Sequence, residues 1–152
     1  MIVLSNYCYP FTFTSTSFSP YEKLPPGFEL SVNRDKDMVV WKKAHTPVGH
    51  YDKIGNFYVI IKLMIPKDAD VVFTPEKCRA SRAVVLGFYS NEIDGELNHL
   101  DIPYAASLYD RGFIYKIGEE VVPDRFDCNP CRTCGNGIHF FRTFNEAVSY
   151  IF

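Results

Sequence analysis

The sequence predicts an α+β fold that is mainly β: a compact domain of mixed or antiparallel sheet, with a short C-terminal helix and an extended N-terminal arm. Three observations predict it. Aromatic residues make up 16% of the chain, with 13 Phe and 10 Tyr, and aromatic side chains favour strands and interfaces. Apolar runs of strand length recur along residues 38–142, each bounded by turn residues. A single stretch, 143–151, carries a convincing helical period.

The elements follow in chain order. Residues 1–27 stand apart as the arm, holding four of the ten prolines and two charged residues, Glu22 and Lys23. Within it Tyr7, Tyr9, Phe11 and Phe13 occupy alternate positions, so an extended chain places the four rings on one face. That face either packs as an edge strand on its own domain or lies on a neighbouring molecule by strand addition. Pro25-Pro26-Gly27 ends the arm, and a single β-rich domain is expected over 28–152.

Met38–Lys43 reads as a strand and 45–55 as a loop. Phe57–Ile65 is apolar at nearly every position, which marks a central strand buried on both faces. Pro66 ends it. A turn and a short strand at Val71–Phe73 come next, and then a strand over Ser81–Tyr89. Residues 90–103 carry Glu92, Asp94, Glu96 and Asp101 and read as an exposed acidic loop. Strands are expected at Gly112–Ile117, around Val121, and at Ile138–Arg142. In the helix Phe144, Ala147, Val148 and Ile151 recur at i, i+3, i+4 and i+7. Thr143 with Glu146 three residues on forms a capping box.

At 152 residues the chain fits one domain able to bury roughly 70% of its unfolded surface. The formal net charge is −2. The basic residues are scattered, the densest stretch being Lys77-Cys-Arg-Ala-Ser-Arg82, so a direct nucleic-acid partner is not expected. No apolar run is long enough for a transmembrane segment, and Met1–Asn6 makes a poor signal peptide. The expected place of synthesis is the cytoplasm.

The five cysteines are Cys8, Cys78, Cys128, Cys131 and Cys134. An odd count with three crowded together is not a secreted disulfide scaffold. Cys128-x-x-Cys131-x-x-Cys134 offers three thiols, with Cys78 or His139 as a fourth ligand across the fold. A structural zinc, a disulfide and free thiols all remain open. Redox catalysis would need a Cys at a helix N-terminus, whereas this motif precedes a strand. A Cys134–His139 nucleophile pair is conceivable, but a histidine on a sheet is the plainer reading. The acidic loop lacks the spacing of a calcium site. No phosphate-binding loop, dinucleotide fingerprint or nucleophile elbow occurs.

Six segments occur in order: Trp41-Lys42-Lys43, Ile61–Ala69, Lys77–Ala83, Ser107-Leu-Tyr-Asp110, Phe113–Gly118 and Cys134-Gly-Asn-Gly-Ile-His-Phe-Phe141. Glu146-Ala147 closes the series. Across residues 38–150 the chain resembles an uncharacterised domain found at the C-terminus of pentapeptide-repeat proteins, common in large DNA viruses and phages. It departs from that pattern in lacking the repeats, in adding the arm, and in carrying Cys128 and Cys131. The resemblance implies no catalytic residue. It implies a non-enzymatic structural protein of the virion, a minor capsid protein of the chlorella-virus type in a large icosahedral double-stranded DNA virus. Its partners would be the major capsid protein and other minor capsid proteins. The alternative is a cytosolic adaptor, with or without a structural zinc.

Overall fold

The computed structural model describes residues 24–47 and 57–151. Ten strands pair antiparallel in two sheets. The smaller has the order β1 (Glu29–Ser31), β4 (Val71–Phe73), β5 (Cys78–Ala80), β10 (Ile138–Phe140). The larger runs β8 (Ile114–Tyr115), β7 (Ala105–Ala106), β2 (Met38–His45), β3 (Tyr58–Ile65), β6 (Ala83–Ser90), β9 (Glu120–Val121). The domain is therefore mainly β, as expected; β3 is central, buried along its inner face at Val59, Ile61, Leu63 and Ile65, whereas on its outer face Ile60 is buried and Tyr58, Lys62 and Met64 are half-buried, so the expected burial on both faces is only partial.

Alternation along the strands decides what each face meets. In β2, Val40 and Ala44 enter the main core with Val59, Ile61, Leu63 and Ile65 of β3 and Val85 and Phe88 of β6. The inner face of the smaller sheet closes the same core through Val71, Cys78, Ala80, Ile138 and Phe140. The sheets are stitched together where Trp41 and Phe141 exchange both backbone hydrogen bonds, at 3.0 and 2.7 Å.

Each outer face then needs a cover. On the larger sheet it is α1 (Phe144–Ser149), whose Phe144 and Ala147 pack on Ile60, Trp41 and Tyr89. The Thr143 capping box forms, with the Thr143 side chain accepting from the Glu146 N–H. The helix stops at Ser149 and Tyr150 turns extended, so Ile151 falls outside it and is exposed, contrary to the periodic expectation. Lys43 explains the stop: its Nζ donates to the carbonyls of Val148 (2.7 Å) and Tyr150 (2.9 Å), satisfying acceptors that another turn would have used.

On the smaller sheet the cover is the cysteine-bearing loop 126–136, which has no helix or strand. Arg79 organises it. Its side chain is 0% exposed. It donates from Nε to the Asp127 carbonyl (2.7 Å), from Nη1 to that of Arg132 (2.7 Å) and from Nη2 to that of Asn129 (2.8 Å). The Asp127 carboxylate lies 3.9 Å away as counter-ion. Two glycines let the loop close. A Cβ on Gly135 would stand 2.6 Å from the Asp127 Cβ, and one on Gly137 would stand 3.0 Å from the Arg79 Cβ.

Arg79→Met removes the donors for three carbonyls in a covered loop. An expected loss of about 3–5 kcal/mol follows. Arg79→Lys recovers little of it, because one ammonium cannot reproduce a planar fork. Urea unfolding of both variants measures this, and an Arg79→Met curve matching the parent would contradict the role.

Candidate functional site

The four described cysteines do not converge. Cys78 is buried on β5, Cys128 is half-buried, and Cys131 and Cys134 are exposed. Among the described residues no three Cys, His, Asp or Glu side chains gather as metal ligands. Burial pushes the Cys78 and Cys128 thiols above their ordinary pKa. The Cys78 sulfur lies 3.6 Å from the Thr74 carbonyl. The described residues, in this arrangement, do not gather a ligand set for a zinc ion. The loop is held by the Arg79 guanidinium.

Cys134 and His139 are each hydrogen-bonded to other groups. His139 Nε2 lies 2.7 Å from the Gly135 carbonyl. A carbonyl only accepts, so Nε2 carries the proton and Nδ1 the lone pair in the neutral ring. Cys134 is paired with the Thr133 hydroxyl at 3.9 Å. In the acidic loop, the backbone N–H of Asp94 is bound by the Asn145 side chain (3.2 Å). The partner-binding expectation at Tyr7, Tyr9, Phe11 and Phe13 lies outside the described residues.

What the fold does gather is a set of basic and aromatic side chains that no motif brought together. A cleft of about 480 Å³ opens at the edge of the core, lined among others by Lys42, Tyr109, Tyr115, Asp124, Arg125 and His139. Lys42 arrives by strand alternation. It sits between Val40 and Ala44 on the inward face of β2, at the point where the apolar core ends. Its Nζ donates to the His139 carbonyl at 2.9 Å. Its ammonium is desolvated and has Lys77 nearby, and these two effects, burial first, lower its pKa to about 7. His139 projects from the outer face of β10, in register with Arg79. Burial and the charges of Lys42 and Lys77 lower its pKa to about 4.

Lys77 stands at 5.7 Å over the Tyr109 ring and 5.3 Å over the Tyr150 ring, within the range of a cation–π contact. The Tyr109 and Tyr150 hydroxyls are hydrogen-bonded to each other. Burial, then this bond, raises the Tyr109 phenol pKa, and burial raises that of Tyr115. The strand pattern could have flagged Lys42, since a lysine in phase with Val40 and Ala44 points inward. Nothing in the local sequence brings Lys77, Tyr109 and Tyr150 to it.

A two-sheet antiparallel β domain, with a helix over one sheet and an arginine-held loop over the other, is the class that fold and cleft define. The chain belongs to DUF5758, a family of unknown function whose model matches residues 28–147. No curated protein and no solved structure matches it. Among the described residues no helix is long and apolar enough to cross a membrane.

Two pH dependences follow, with opposite relevance to acid and base. The folded-state pKa of Lys42, about 7, lies below the ordinary lysine value of 10.5. The unfolded chain therefore binds the extra proton between these values, and stability rises with pH across that window. Lys42→Met should gain on the order of 2 kcal/mol at pH 6 and lose that advantage as pH approaches about 10. Denaturant curves at several pH values test this; a gain that does not vary with pH contradicts a buried, depressed ammonium. For His139 the window lies between about 4 and the ordinary 6.5. Stability contributed by the neutral ring is present above 6.5 and is lost as pH falls through that range. His139→Gln should flatten the acid limb, and NMR titration of the ring reads its pKa directly.

Proposed function

We propose that this domain is a non-enzymatic structural protein that binds neighbouring proteins, acting as a minor capsid component of a large icosahedral double-stranded DNA virus. The supporting observation is an apolar strip on the outer face of the larger sheet, beyond the reach of α1. Val39, Met64 and Val84 stand in register across β2, β3 and β6. Leu86 sits beside them, where the pairing of β3 and β6 shifts register. Val39 is 50% exposed and Leu86 is 41% exposed. Such a strip gains about 25 cal/mol for each Å² of apolar area a partner removes from water.

The sequence supplies the complementary surface. Tyr7, Tyr9, Phe11 and Phe13 form an aromatic face when extended, and an aromatic strand is a suitable occupant for a flat apolar strip. On this reading the arm reaches a neighbour while the strip receives one. The resemblance to a domain of viral pentapeptide-repeat proteins supplies the context of the particle.

Val39→Asp and Leu86→Asp each place a charge on the strip without touching the core. Each should leave unfolding within about 0.5 kcal/mol of the parent and weaken incorporation into particles at least about tenfold. Quantitative mass spectrometry of purified virions measures incorporation. Normal incorporation of both variants removes the support for the strip. Absence of the parent chain from particles, with retained binding to a soluble protein, selects the cytosolic adaptor instead.

A further inference from the structure

Beyond its role as a binding module, the domain carries an electrostatically incomplete pocket. A partly open pocket of about 20 Å³ is lined among others by Lys42, Lys43, Lys77, Tyr109, His139 and Tyr150, the Lys43 ammonium being engaged by the carbonyls of Val148 and Tyr150. No carboxylate lines it. Among the described residues, neither Lys42 nor Lys77 has an acidic side chain within ion-pair distance. The Lys42 ammonium has three N–H donors, and its hydrogen bond is to one carbonyl, that of His139. Lys77 touches the Tyr150 hydroxyl at 3.5 Å and the two tyrosine rings.

The other basic side chains turned into the fold engage more acceptors, although the buried Arg34 Nε also lacks one. Arg79 has three carbonyls and a carboxylate, and Lys43 has two carbonyls. Arg34 donates to the carbonyls of Pro66, at 2.6 Å, and Ala69, at 2.9 Å. Two ammonium groups facing one small pocket without a carboxylate beside them repel each other. An anion between them would relieve both the repulsion and the unmet donor capacity.

We propose that this pocket binds the oxyanion end of a small ligand, a carboxylate or phosphate group, gripped by Lys42 and Lys77 and flanked by the Tyr109 hydroxyl. The pocket admits about one water-sized atom, because a single water centre already needs roughly 10–15 Å³, so it takes one oxygen of the oxyanion. The remainder of the ligand lies in the adjoining cleft of about 480 Å³, which shares Lys42, Tyr109 and His139 with the pocket. Asp110 lines that cleft too, with its Oδ1 engaged by the Gly112 N–H at 3.0 Å. Asp124 and Arg125 also border the cleft, so its lining offers the body of the ligand both a carboxylate and a guanidinium.

The test uses the full chain with three probes: inorganic phosphate, acetate and tetramethylammonium chloride. Isothermal calorimetry and the chemical shifts of the lysine Nζ groups report binding. Saturable binding of phosphate or acetate is expected, with the Lys42 and Lys77 signals moving together; which probe binds tighter distinguishes the two oxyanion sources. Lys42→Met and Lys77→Met should each weaken binding at least about tenfold. Lys36→Met, a change of equal charge at an exposed site, should leave binding unchanged. Lys77→Met guards against a folding defect in Lys42→Met, and unfolding curves of both verify the fold. Absence of saturable binding for either oxyanion up to about 10 mM, or equal weakening by Lys36→Met, overturns the proposal. A matching response to the tetramethylammonium salt would trace the signal to chloride or ionic strength and overturns it as well.

Discussion

The constraint on which the smaller sheet depends is the buried guanidinium of Arg79. The sheet has two faces to cover, and the described residues supply a helix for neither. Its outer face, with Val72 at its centre, is closed by Phe126 and Cys128 from a loop that has no backbone ladder of its own. Peptide carbonyls that leave water without a ladder must find donors elsewhere. Arg79 provides three in one plane, spaced to reach residues 127, 129 and 132. Burial lowers its pKa and the Asp127 carboxylate opposes the shift, so the charge remains and the bonds keep their charge-assisted strength. Closing the loop this tightly also brings the Gly135 carbonyl onto His139, and so sets the tautomer of the ring beside the cleft.

The same device recurs around the domain. Arg34 ties the turn between β3 and β4, Arg142 donates to the Thr74 carbonyl at 2.7 Å, and Lys43 closes α1. Basic residues that look scattered along the chain are thus internal clamps on backbone acceptors. This accounts for a domain that is compact with several strands of only two or three residues. It also explains why no basic face is assembled from these residues: their charges are directed at carbonyls inside the fold. The two sheets need less clamping where they meet, since Trp41 and Phe141 continue the ladder from one to the other.

Much of this was legible in the sequence, and the rest was hidden for identifiable reasons. The central strand was readable because Tyr58–Ile65 is apolar on both faces, and the helix start because Thr143 and Glu146 are a local device. The strands β1, β5 and β7 were not anticipated. They span two or three residues and exist only through pairing with distant partners, as Glu29 with Phe73 and Arg79 with His139, so no periodicity can announce them. The expected strand at Gly112–Ile117 shrank to Ile114–Tyr115 because β7, its partner, is itself only two residues long. Cys128-x-x-Cys131-x-x-Cys134 drew attention to thiols, while the residue that organises that loop lies some fifty positions upstream in β5. Long-range polar contacts have no spacing signature, and this is where sequence reasoning stopped.

The cations themselves separate structural from functional polarity. A basic side chain that serves the fold engages several backbone acceptors, as Arg79 does with three carbonyls and Lys43 with two. Lys42 does not: it takes an inward position in a core strand, beside a second ammonium, with one carbonyl as partner. A methionine of similar length would fill the same space without the desolvation cost. Packing therefore gives no reason for a lysine there, and neither does the ladder, since the backbone of β2 pairs the same way with any side chain. What remains is the chemistry of the amine at the floor of an open cleft. The stability given up at this position is the physical reason to look for function at Lys42.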